Sequence, residues 1–138
     1  MRKILFRGKR ADNSEWEYGD LWCNPYGKRV VCIVSPINDQ GTTGGNEVDP
    51  ETVGQYTGLK DKNGKKIFEG DIVKIPLYES FREQVIAVVA WDIKKAVFYL
   101  HGKRVKTDFY HYFGDDCEVI GNIYDNSELL EGGEQNGK

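Results

Sequence analysis

Apolar and polar residues alternate along this chain in short bursts and never settle into a sustained helical rhythm. Residues 4–9 read as a first short strand, followed by the turn cluster Ala11-Asp12-Asn13-Ser14. Glu15-Trp16-Glu17-Tyr18-Gly19-Asp20-Leu21 has a period of two, which predicts a strand with Trp16 and Tyr18 on one face. These two segments form a hairpin. A turn at Asn24-Pro25-Tyr26-Gly27 leads to the β-branched run Arg29-Val30-Val31-Cys32-Ile33-Val34, a third strand. Glycine and small polar residues over 35–46 predict a flexible loop. Asp49 then caps a short helical turn that Pro50 opens.

Residues 53–59 read as extended, and Asn63-Gly64 is the dipeptide of a tight hairpin turn whose two central residues take positive φ. Ile67-Phe68 begins the return strand, and Ile72-Val73-Lys74-Ile75 leaves as another that stops at Pro76. The run Val85-Ile86-Ala87-Val88-Val89-Ala90-Trp91 is apolar on both faces, as in a strand buried between layers. Residues 96–100 and 117–124 complete the strands, with a hairpin tip at His101-Gly102-Lys103-Arg104 and a strand or loop over 105–113. A short helix fits 127–131. The predicted fold is mainly β: an N-terminal β-hairpin lobe over 1–66, an SH3-like partly open β-barrel over 67–125, and a disordered acidic tail over 126–138. Closing a small sheet into a barrel removes exposed edges.

Composition agrees with a globular chain: 39% of residues are apolar and 30% charged, enough for a real core without staples. The 16 glycines call for many turns, hence many short strands. The formal charge of −3 is unevenly spread. From Asp115 onward there are seven acidic residues against one lysine, and the rest of the chain holds the other 18 basic and 15 acidic groups. A mildly basic body is suited to an anionic partner. Cys23, Cys32 and Cys117 are odd in number with no Cys-x-x-Cys, which argues against a disulfide framework and for a reducing cytoplasm. No apolar run suits a signal peptide or a membrane span, so the expected location is cytoplasmic.

Three blocks carry a family resemblance. The first is Ile4-Leu5-Phe6-Arg7-Gly8-Lys9 followed by Glu17-Tyr18-Gly19-Asp20-Leu21. The second runs from Glu51 through Gln55-Tyr56-Thr57-Gly58-Leu59-Lys60-Asp61-Lys62-Asn63-Gly64 to Ile67-Phe68-Glu69-Gly70-Asp71-Ile72-Val73. The third is Glu118-Val119-Ile120-Gly121-Asn122-Ile123-Tyr124-Asp125-Asn126. In this order they resemble the YopX family of phage and prophage proteins. The resemblance implies a phage or prophage origin, a β-rich fold and self-association. It brings no catalytic residues to carry over.

The residues themselves offer little chemistry. Cysteines and histidines are too far apart in sequence for the close ligand pairs of a structural zinc site, so neither metal nor cofactor is implied. No serine sits in a Gly-x-Ser-x-Gly elbow. No phosphate-binding glycine loop is present. Glu69-Gly70-Asp71 pairs two carboxylates, yet it reads better as a turn in which Gly70 takes positive φ and Asp71 binds backbone amides. The surface candidate is the basic, aromatic stretch 101–113. There Lys103, Arg104 and Lys106 are placed to meet phosphates, and Tyr110 or Tyr112 to stack on bases. The resulting expectation is a non-enzymatic accessory protein that binds a protein partner or itself, as a homo-oligomer. The alternative is a weak nucleic-acid binder using 101–113, and a hydrolase built on Glu69 and Asp71 ranks third.

Overall fold

The structure, a computed structural model, describes residues 1–24, 31–35, 37–38, 41–42, 44–77, 80–109, 112 and 114–131. It is mainly β and divides into two units, Met1–Tyr56 and Thr57–Lys138. The division therefore falls earlier than residue 66, because the hairpin over 61–65 is bonded into the second unit, as described below.

In the first unit β1 (Phe6–Lys9) pairs antiparallel with β2 (Trp16–Asn24), and β2 with β3 (Val31–Ser35). Within the stretch expected as a loop, 35–46, described residues form two short strands, β4 (Ile37–Asn38) and β5 (Gly41–Thr42), which pair with each other. Then β6 (Asn46–Val48) lies along β3. The order β6-β3-β2-β1 turns back on itself: Arg10 bridges to Val48, Ala11 N donates to Glu47 O (3.0 Å) and Asp49 N to Lys9 O (2.8 Å). The enclosed core is small, with Cys32, Val34 and Val48 buried and Leu21 and Val53 against them. Asp49 caps the 3-10 turn Pro50–Thr52, its carboxylate accepting from Glu51 N at 3.0 Å, as the Asp-Pro pair predicts. Strand β7 (Gly54–Lys60) begins beside β1, with Gly54 opposite Arg7 and Gln55 opposite Phe6.

The second unit takes over within β7 and continues through β8 (Lys66–Phe68), β9 (Asp71–Leu77), β10 (Ser80–Asp92), β11 (Val97–His101), β12 (Lys106–Asp108) and β13 (Glu118–Asn122). Five of these make an antiparallel sheet in the order β12-β11-β10-β9-β13. One face carries the core: Val73, Ile75, Val85, Ala87, Val89 and Leu100, closed over by Ile67, Tyr112 and Cys117. Strand β9 does not stop at Pro76. Pro76 lies opposite Gln84, beside a register shift between Ser80 and Gln84, a place where a missing N–H does least harm. Residues 128–131 form a short helical turn.

Two turns show how local chemistry sets this unit. At the Asn63-Gly64 turn only Gly64 takes positive φ (83°), so the primed turn expected from the dipeptide is not formed. Asp61 N donates to Lys65 O (2.7 Å) and Gly64 N to Asp61 O (3.0 Å), a three-residue loop closed by a left-handed glycine. Asp61 is buried at 3% exposure and organises this loop. Its Oδ1 accepts from Asn63 N (2.9 Å) and Lys65 N (2.8 Å), and its Oδ2 from Val119 N (2.9 Å) in β13. Lys62 N adds a bond to Cys117 O (3.0 Å). Further along β13, Asn122 N donates to Asn126 Oδ1 (3.1 Å).

Candidate interaction surfaces

The period of two in β2 puts Trp16, Tyr18, Asp20 and Trp22 on one face, opposite to Leu21 and Cys23. Leu21 packs into the core of the first unit, so the aromatic row is the outer face. Tyr18 is 46% exposed and Trp22 58% exposed. Exposed aromatic pairs of this size on a sheet are uncommon without a partner. The flanking strand supplies one half-buried cation, Lys9, and one buried cation, Arg7, which is 5% exposed. Lys9 stands opposite Trp16 and Arg7 opposite Tyr18, and the Arg7 guanidinium lies 4.7 Å from the Trp16 ring centroid, with Lys9 Nζ at 5.8 Å. Arg2 and Lys3 are exposed just before β1. Arg10 is engaged elsewhere: it forks onto Asp12 (3.0 and 2.8 Å) and reaches Glu17 (3.3 Å).

Sequence reading marked Trp16 and Tyr18 as sharing a face, but not this surface. Its own candidate lies on the second unit and is only partly assembled. Lys103 and Arg104 are exposed at the β11–β12 hairpin tip, where Arg104 pairs with Glu83 at 2.9 Å. Lys106 lies in β12 opposite His101. Tyr110 lies outside the described residues. Tyr112 is the correction: it is 4% exposed and packs in the core, so its ring is not a stacking platform. The aromatic groups beside Lys106 are instead Tyr99 and His101, stacked with centroids 5.4 Å apart. Tyr99, Lys106, Lys95 and Asp108 line a shallow hollow of about 60 Å³. The signal for Tyr99 was its alternation with His101 along β11.

The Glu69-Gly70-Asp71 turn is built as its structural reading predicts. Gly70 has φ 91°, and the buried Asp71 accepts from Phe68 N at 2.7 Å. Asp71 therefore supports a turn that only glycine enters without strain. Among the described residues, no three His, Cys, Asp or Glu side chains converge as a metal site would need, and no helix is long and apolar enough to cross a membrane.

The cysteines differ from expectation. Cys23 and Cys32 are directly opposite in the β2–β3 register, with Cα atoms 4.2 Å apart, and are joined as a disulfide. Their spacing in sequence hides this, because cross-strand pairing depends on register and not on separation. Cys117 is outside the disulfide and fully buried, and burial pushes its thiol up to about 12, with Asp116 and Asp61 adding to the shift.

Comparison with known proteins adds a family and a fold. A family model described as YopX protein matches residues 5–131. Among solved structures, the chain resembles the crystal structure of protein EF1440 from Enterococcus faecalis, with a TM-score of 0.53 and 21% identity. The match covers 94% of this chain and 99% of that one, and at this identity the likeness is one of fold. No curated protein matches the chain.

Proposed function

Because the chain belongs to the YopX family, we propose that it is a phage- or prophage-encoded accessory protein of the host cytoplasm, which works without catalysis by binding another protein through the outer face of β2. The observation that carries this reading is the solvent-facing pair Tyr18 and Trp22. Tyr, Trp and Arg dominate the energetics of protein interfaces. Lys9, and Arg2 and Lys3 ahead of β1, flank the row with positive charge. The matching partner is a protein segment with apolar side chains bordered by carboxylates. Self-association is the competing occupant of the same face. The five-stranded sheet of the second unit, read as an SH3-like partly open barrel, then serves as a scaffold.

Selection from a displayed peptide library tests the proposal. The expected winners are acidic peptides with an aromatic or aliphatic anchor, whose affinity falls at least tenfold in Trp22→Ala and Tyr18→Ala but not in Arg104→Ala. Winners indifferent to Trp22 and Tyr18 would remove the reading. A dimer by sedimentation that Trp22→Ala dissociates would assign the face to a second copy.

The Tyr99–His101 stack beside Lys106 favours one second reading, a weak contact with single-stranded nucleic acid. Anisotropy of labelled oligonucleotides across a salt series tests it. Binding that weakens with salt and is lost in Lys106→Ala supports it, and no binding at micromolar protein ends it.

A further inference from the structure

We propose that Cys23 and Cys32 form a reversible thiol–disulfide clasp that controls the docking face, the inference resting on the reading of Tyr18 and Trp22 given above. Three observations carry it. First, β1 pairs with β2 only over Trp16 to Gly19. Over Asp20 to Asn24, β2 pairs with β3. Among the described residues Trp22 thus sits where β2 is the border of the sheet, held there by β3 alone, while β3 is itself backed by β6. Second, the disulfide joins the register pair next to Trp22: Trp22 faces Ile33, and Cys23 faces Cys32. Beyond it, among the described residues, lies the Asn24–Val31 pair. Third, the two sulfurs have different surroundings. Cys23 is exposed, whereas Cys32 is 3% exposed and packs with Val34 and Val48. One sulfur is open to attack and the other anchors the clasp in the core.

The exchange uses a small cytoplasmic thiol of the glutathione class. Its thiolate attacks Cys23 Sγ, the Cys23–Cys32 bond breaks, and Cys32 leaves as a thiolate that takes up a proton. A second small thiol attacks the mixed disulfide, releasing Cys23 and the oxidised small disulfide, so two electrons pass from two thiols to the protein. Closure is the reverse, driven by the small disulfide. A disulfide in a reducing compartment is characteristically transient or redox-sensing, which reconciles this bond with a cytoplasmic protein. Reduction leaves the border segment of β2 to its ladder bonds with β3 and frees the segment that presents Trp22.

The test uses the full chain equilibrated in glutathione buffers of graded thiol-to-disulfide ratio, with thiol counting and amide hydrogen exchange. The expected result is reversible reduction while β9 and β10 stay protected, labelling at Cys23 before Cys32, and exchange at least tenfold faster over residues 22–24 and 31–32. The Cys23→Ser/Cys32→Ser variant should match the reduced protein and ignore the buffer. Reduction only when β9 and β10 also lose protection would overturn the clasp, as would reduction that leaves exchange near Trp22 unchanged. Peptides selected on the oxidised protein separate the two ideas. If they depend on Trp22 but bind both redox states equally, the clasp fails and the docking face stands. If exchange responds to redox but no peptide depends on Trp22, the docking face fails and with it the control proposed for it.

Discussion

Replacing Asp61 with alanine removes three hydrogen bonds at once and is expected to cost about 3 kcal/mol of stability. A bond to a charged group contributes about 1.5–3 kcal/mol when its donor stays out of water. The amides of Asn63 and Lys65 belong to an exposed turn, where water replaces the carboxylate, so each counts for about 0.5 kcal/mol. Val119 N in half-buried β13 depends on Asp61 Oδ2 and counts for about 2 kcal/mol. Urea unfolding followed by circular dichroism reads the loss as a midpoint drop of roughly 1.5 M at a typical slope of about 2 kcal/mol/M. Asp61→Asn keeps an acceptor for the turn but aims its amide at Val119 N, so it should lose about 2 kcal/mol. The pH dependence has a definite sign. Burial opposes the charge, yet the three backbone donors outweigh it and hold the Asp61 carboxyl below the usual carboxylate range. Its contribution is present above the unfolded pKa of about 3.9 and is lost as pH falls through the lower folded value. The wild type should therefore lose stability more steeply below about pH 4 than Asp61→Asn. A cost under about 1 kcal/mol for Asp61→Ala, or equal acid slopes, would refute the assignment of Asp61 as the tie between the hairpin and β13.

Gly70→Ala should lose about 1–3 kcal/mol by thermal unfolding, since an L side chain is strained at φ 91°; a neutral result would mean that the turn relaxes freely. Cys117 should resist iodoacetamide at pH 8 in the folded protein, because it is buried with its thiol pushed up to about 12, and should label on unfolding. Labelling at native rates would contradict both statements. Arg104→Ala should change stability by less than about 1 kcal/mol in a double-mutant cycle with Glu83→Ala, because both groups are exposed; a larger coupling would show the pair to be structural.

The strands were legible because alternation and turn residues act locally. The Asp49-Pro50 cap and the Gly70-Asp71 turn were read correctly for the same reason: each is decided within a few residues of backbone. What the sequence hid depends on register. The reading stopped β2 at Leu21, although the strand continues to Asn24 and pairs with Val31 onward. That extension alone brings Cys23 opposite Cys32 and turns Trp22 outward. Over 105–113 no alternation distinguishes an inward tyrosine from an outward one, and Tyr112 turned out to be core. The aromatic face of β2 was missed because a period of two says which residues share a side, but not which side meets solvent.

The bonds that Asp61 and Asn126 make to β13 have one more consequence. β13 ends the five-stranded sheet, and the amides of Val119 and Asn122 are already taken by side chains from within the same chain. An incoming strand would have to displace both before it could add to the ladder. The opposite border, β12, offers three residues, too few for a lasting zipper. Among the described residues, neighbouring molecules are thus denied the borders of this five-stranded sheet as a template. The addition of this sheet end to end into fibrils is discouraged from inside the unit.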